Sequence, residues 1–149
     1  MLEKELKLIE SYFDIIEAKN NKISKANVGW HLDHTLKVIN TVCKTLVNSD
    51  PKEYKYSFNR LRLIVFTLGF FPRGKAKSPK RVLPPEVIYI EELQKQLSEV
   101  TENVKNLEGL TKNKHFHHPL FKQLNKKKAI RFMKMHTNHH LKIVKDIIK

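Results

Sequence analysis

Apolar residues in this chain recur at alternating steps of three and four, and that rhythm leaves little but packed helices as a fold. Between Glu86 and Glu108 the set Ile90, Leu93, Leu97, Val100, Val104 and Leu107 advances by 3, 4, 3, 4 and 3, which lays one apolar stripe along a helix. The C-terminal stretch repeats the rhythm in Ala129, Met133, His136, His140, Ile143 and Ile147. Two imidazoles stand there at seam positions where the pattern otherwise requires a core side chain. Residues i and i+4 of a helix project from one face about 6 Å apart, so such a pair can grip one ion without backbone distortion.

The remaining segments read in the same way. Leu2, Leu6, Ile9, Phe13 and Ile16 predict an amphipathic first helix over residues 2–19. After a polar break from Asn20 to Lys25, a second helix is expected from about Asn27 to Val47, ended by the turn formers Asn48, Ser49, Asp50 and Pro51. Residues 53–70 fit a short helix through Phe58, Leu61, Ile64, Val65 and Leu68, and no partner strand is visible that would make the Leu-Ile-Val-Phe run a sheet. Phe71 to Pro85 is a basic, proline-punctuated loop, long enough to invite a functional role. Gly109 is placed as the residue that ends the Glu86–Glu108 helix. Thr111 to Asn125 reads as a loop carrying His115, His117, His118 and Pro119, and the last helix begins near Asn125.

Six prolines and four glycines are too few to punctuate a β fold, and 149 residues suffice for one domain with a proper core. The expectation is therefore all-α: an antiparallel four-helix bundle with one short extra helix, residues 1–149 forming a single domain. The net charge of +14 attracts polyanions, yet only five of the 29 basic residues are arginines, the type that reads bases and phosphates with two hydrogen bonds at once. A nucleic-acid-binding helical domain is thus an alternative but not the favoured one. The longest apolar run, Leu61 to Phe71, is interrupted by Arg62 and falls far short of the ~20 residues of a membrane span. With one cysteine, Cys43, and no signal-like N-terminal stretch, the protein is expected in the cytoplasm, and Cys43 is expected as a small buried filler rather than a nucleophile.

A metal site needs imidazoles converging from at least two elements. The second helix supplies Trp30-His31-Leu32-Asp33-His34. His31 and His34 are three apart, and spacing alone does not choose between them, although the apolar face through Trp30, His34 and Val38 leans to His34. Three histidines on zinc, nickel or iron leave a coordination position open, as in catalytic rather than structural sites. A single seam histidine is most often a hydrogen-bonded core residue, whereas a pair at i, i+4 with a third candidate elsewhere favours metal. His139 lies off the seam and is expected exposed or behind a ligand; the loop histidines His117 and His118 are expected exposed, the alternative being a pocket wall. Asp33, about 100° round the helix from His34, is expected as a surface charge, and Lys126-Lys127-Lys128 as solvated rather than phosphate-binding.

Trp30-x3-His34, then His118-Pro119-Leu120-Phe121, then Met135-His136-Thr137-Asn138-His139-His140-Leu141, in that order, resemble the DinB/YfiT-like superfamily of proposed metalloenzymes, over about Lys25 to the C-terminus. The resemblance implies an up-down-down-up four-helix bundle and a divalent metal on His34, His136 and His140. It also implies a hydrolase or a low-molecular-weight-thiol transferase acting on a small molecule, anionic or a thiol, and a homodimer. The chain departs from the pattern at Lys122, where relatives carry glycine, and at Lys142 to Lys145, where they carry glutamine. Both departures spare the ligands, so the resemblance carries over the metal site and not the substrate contacts. A noncatalytic bundle with structural histidines is the competing expectation.

Overall fold

Three long helices and two short ones surround the core in a computed structural model that describes residues 1–74 and 78–149. In chain order these are α1 (Glu3–Glu10), α2 (Val28–Asn48), α3 (Arg60–Leu68), α4 (Ile90–Lys105) and α5 (Lys126–Ile147), with β1 (His115–His118) and β2 (Lys122–Asn125) between the last two. The molecule is mostly helical, and the two-stranded antiparallel sheet is a departure from the all-α expectation. Among the described residues no helix is long and apolar enough to cross a membrane.

The centre is α2, which packs against both α4 and α5, while α1 leans on α5. It is buried on nearly every side, with Val28, Leu32, Leu36, Ile39, Val42, Cys43 and Leu46 all but inaccessible, as befits a helix enclosed by others. Asparagine caps start three helices in the same way: the Asn27, Asn59 and Asn125 side chains accept from the backbone N–H of Trp30, Arg62 and Lys128, respectively. These caps set where α2 and α5 begin, and so which turn carries each histidine.

Three expectations are corrected. The first helix stops at Glu10 and continues as a 3₁₀ turn, Phe13–Ile15, because the chain must bend to bring Ile16 onto α2. There the Gly29 N–H donates to the Ile16 carbonyl at 2.8 Å, and a Cβ on Gly29 would stand 3.1 Å from Ile16 Cβ. Gly109 does not end α4 in a left-handed turn; the helix closes at Asn106, and Lys126 Nζ donates to the carbonyls of Glu108 and Leu110 at 2.9 and 2.8 Å. The left-handed helix-ending glycine is Gly69, at φ 76° after α3, with its N–H on the Val65 carbonyl. Residues 115–125 are not loop but a hairpin, in which Phe116 pairs with Leu124 and His118 with Lys122. Of the basic loop from Phe71 to Pro85, residues 75–77 lie outside the described residues.

The hairpin is tied to α3 by Arg62. Its buried guanidinium donates to the carbonyls of Phe121 (3.0 Å), Gln123 (3.3 Å) and Ser57 (2.5 Å). In consequence α3 buries only Arg62, Val65 and Phe66, and leaves Leu61, Leu63, Ile64 and Leu68 exposed.

Candidate metal centre

The first turns of α2 and the middle of α5 face each other, and three imidazoles meet between them. One nitrogen from each of His34, His136 and His140 lies within 4.8 Å of the other two. The ring centroids are 5.1 Å (His34–His136), 4.8 Å (His34–His140) and 4.6 Å (His136–His140) apart. Trp30 stacks on His34 at 5.0 Å and 21°, which holds the ring from the cavity side.

Hydrogen bonds determine which nitrogens are free. His34 Nδ1–H donates to the Val82 carbonyl at 2.8 Å, so the lone pair of the neutral ring is on Nε2. His140 Nδ1 lies 2.9 Å from His31 Nδ1, and His31 Nε2 lies 3.0 Å from Ser24 Oγ. If His140 Nδ1 donates to His31, then His31 Nε2 donates to Ser24, and His140 Nε2 is left as a lone pair. His136 Nδ1 is buried and has no hydrogen-bond partner among the described residues. An ordinary core histidine would be satisfied. Beside two other imidazoles, the unpaired nitrogen is free to take an ion.

The electrostatics agree. Burial pushes His136 and His140 well below the usual imidazole value, with the neighbouring imidazoles adding to it. Burial likewise lowers His34, against the opposing pull of the Val82 carbonyl, and takes His31 down to about 4. All four rings are neutral at pH 7, the state that ligates metal.

The structure thus brings His34, His136 and His140 together and sets His31 behind His140, a division that spacing alone left open. Asp33 is not a surface charge: it is buried, accepts from Gln96 Nε2 at 2.7 Å and pairs with Lys37 at 2.6 Å. The 100° that turns it from His34 turns it onto α4 instead of into solvent. Lys126 caps the chain after α4, and Lys128 lies 4.8 Å over the Tyr56 ring, so neither is simply solvated. Cys43 is a buried filler, its thiol pushed up to about 12 by burial.

A cavity of about 320 Å³ opens beside the triad. Its lining is largely aromatic, with Trp30, Phe71, Phe116, Phe121 and Phe132, and its polar groups include His118, His139, Ser78 and Arg81. His117 is exposed and takes no part, whereas His118 belongs to the wall. His139 is half-buried, its Nδ1–H on the Phe71 carbonyl at 3.1 Å. Sequence reasoning missed the aromatic wall, although Phe132, one turn before His136 on the same face, is a signal that could have found it.

Residues 13–147 match the model of a family described as Protein of unknown function (DUF1569). No curated protein and no solved structure matches the chain.

Proposed function

Since the chain belongs to the DUF1569 family, whose function is unknown, we propose a function from its own geometry: a divalent-metal-dependent enzyme whose ion is held by His34, His136 and His140. One observation carries the reading, namely three neutral imidazoles from two helices with ligand atoms within 4.8 Å, one of them with an orphaned buried nitrogen. Zinc, nickel and iron(II) all accept such a donor set. When bound, the ion supplies Lewis acidity, which polarises an electrophile and acidifies water or a thiol.

The rest of the chain would do the positioning. Val82 and His31 orient His34 and His140 from behind, Trp30 packs one ring, and the aromatic cavity excludes water from the open side. The resemblance to DinB/YfiT-like proteins points to hydrolysis or thiol transfer within a four-helix-bundle frame, in a cytoplasmic homodimer. The exposed apolar side chains of α3 support the dimer. A thiol co-substrate would have to come from outside, because Cys43 is sealed in the core.

The test is elemental analysis of the purified protein beside His34→Ala and His140→Ala, with melts before and after chelation and metal return. Near-stoichiometric metal is expected in the parent and not in the variants, with about 2.7 kcal/mol of added stability at a hundredfold excess over Kd. No metal, and melts that ignore Zn²⁺ and Ni²⁺, would sink the reading in favour of a noncatalytic bundle.

A further inference from the structure

We infer that the cavity takes a small aromatic or similarly apolar carboxylate, oriented by a hydrogen bond from His118 Nε2–H to its oxygen; that this ligand faces an ion rests on the metal-centre reading, the rest does not. The donor is fixed by the turn between the strands. His118 Nδ1 accepts from the backbone N–H groups of Leu120 and Phe121 at 3.1 and 3.3 Å. A nitrogen that receives two N–H groups carries no proton, so the neutral ring must carry it on Nε2. The ring is clasped by Phe121, stacked at 4.5 Å and 21°, and by the edge of Phe132 at 4.8 Å. Its Nε2–H has no partner among the described residues, while the ring lines the cavity. A pre-set donor without a protein partner, on a ring that lines a cavity, is a group that can bind a ligand oxygen.

Charge selects the sign of the ligand. Among the described residues the cavity is lined by five histidines and Arg81 but by no Asp or Glu. Asp33, adjacent to His34, is committed to Gln96 and Lys37. An ammonium group would find no counter-charge here, whereas a carboxylate finds the His118 Nε2–H and Arg81. Size and walls select the body. At about 30 Å³ per water, 320 Å³ is room for roughly ten waters, or one substituted ring, and a lining with four phenylalanines and Trp30 suits a flat one.

Trp30 is the sole tryptophan and lines this cavity, so its fluorescence reports occupancy. Benzoate, benzylamine and acetate would be titrated into metal-free and Zn²⁺-loaded protein, using the parent, His118→Asn and His118→Gln. Asn can keep the acceptor for the Leu120 and Phe121 amides but has nothing at the Nε2 position; Gln reaches that position with an N–H. Benzoate should bind at least about tenfold more tightly than benzylamine or acetate. His118→Asn should melt as the parent does yet lose about tenfold in benzoate affinity, which His118→Gln should partly restore. Benzylamine binding as well as benzoate, or His118→Asn binding as the parent does, overturns the inference. Should neither variant fold, the parent's preference among the three probes decides it. The His118 and Arg81 donors do not depend on metal, so the loss on His118→Asn is expected in both forms, and failure to bind Zn²⁺ would count against the metal-centre reading alone.

Discussion

At the scale of single residues, His31 shows how a side chain can matter to a site without belonging to it. It contributes no atom to the triad but occupies His140 Nδ1 at 2.9 Å, and it is itself held by Ser24. Groups that fix the far nitrogen of a ligating imidazole set its tautomer and orientation, and their loss commonly lowers metal affinity by about 10- to 100-fold. His31→Ala is therefore expected to weaken Zn²⁺ binding by that amount in a chelator competition, with helix content unchanged. An unaltered affinity would reduce His31 to packing. His31 and His34 are indistinguishable by spacing. What separates them is that α2 aims one at α5's seam and the other at Ser24, a contact across 109 residues for His31 and His140 that no local pattern encodes.

At the scale of elements, the hairpin and α3 form one unit through Arg62. The guanidinium fork satisfies three carbonyls and forms no ion pair among the described residues, so the bond set is geometric rather than ionic. Arg62→Ala should cost about 2–3 kcal/mol in denaturant unfolding, because it strands buried carbonyls. Arg62→Lys should not recover it, since an ammonium on a flexible stem cannot reproduce a planar fork. Full recovery by lysine would show that charge alone mattered. The hairpin was illegible in the sequence for a related reason: its strands have four residues each, and only Phe116 and Leu124 are buried on their shared face. Two apolar positions do not make a period. The long seams of α4 and α5 do, and both helices lie where the steps of three and four predict.

At the scale of the whole molecule, the buried imidazoles couple folding to pH. Burial takes His31 and His118 to about 4 and lowers His34, His136, His139 and His140. An unfolded chain regains values near 6.5 and so binds more protons than the folded one between about pH 4 and 6.5. Stability must then rise with pH across that window and drain away as pH falls through it, by at most about 1.4 kcal/mol per pH unit for each such ring. Melts at pH 7.5, 6 and 5 should show a falling Tm, and a bound ion should steepen the fall. A flat profile would mean that the rings are open to water. The sequence alone determined the helical character, the positions of the long helices and the seam placement of His136 and His140, because those follow from periodicity along the chain. Only the tertiary structure decided that His34 joins the pair, that His31 stands behind it, that Asp33 is buried against α4, and that four phenylalanines line a cavity with no acid among the described residues. Each of these depends on which faces of distant segments meet, and that is set by packing and by how the buried polar atoms find partners.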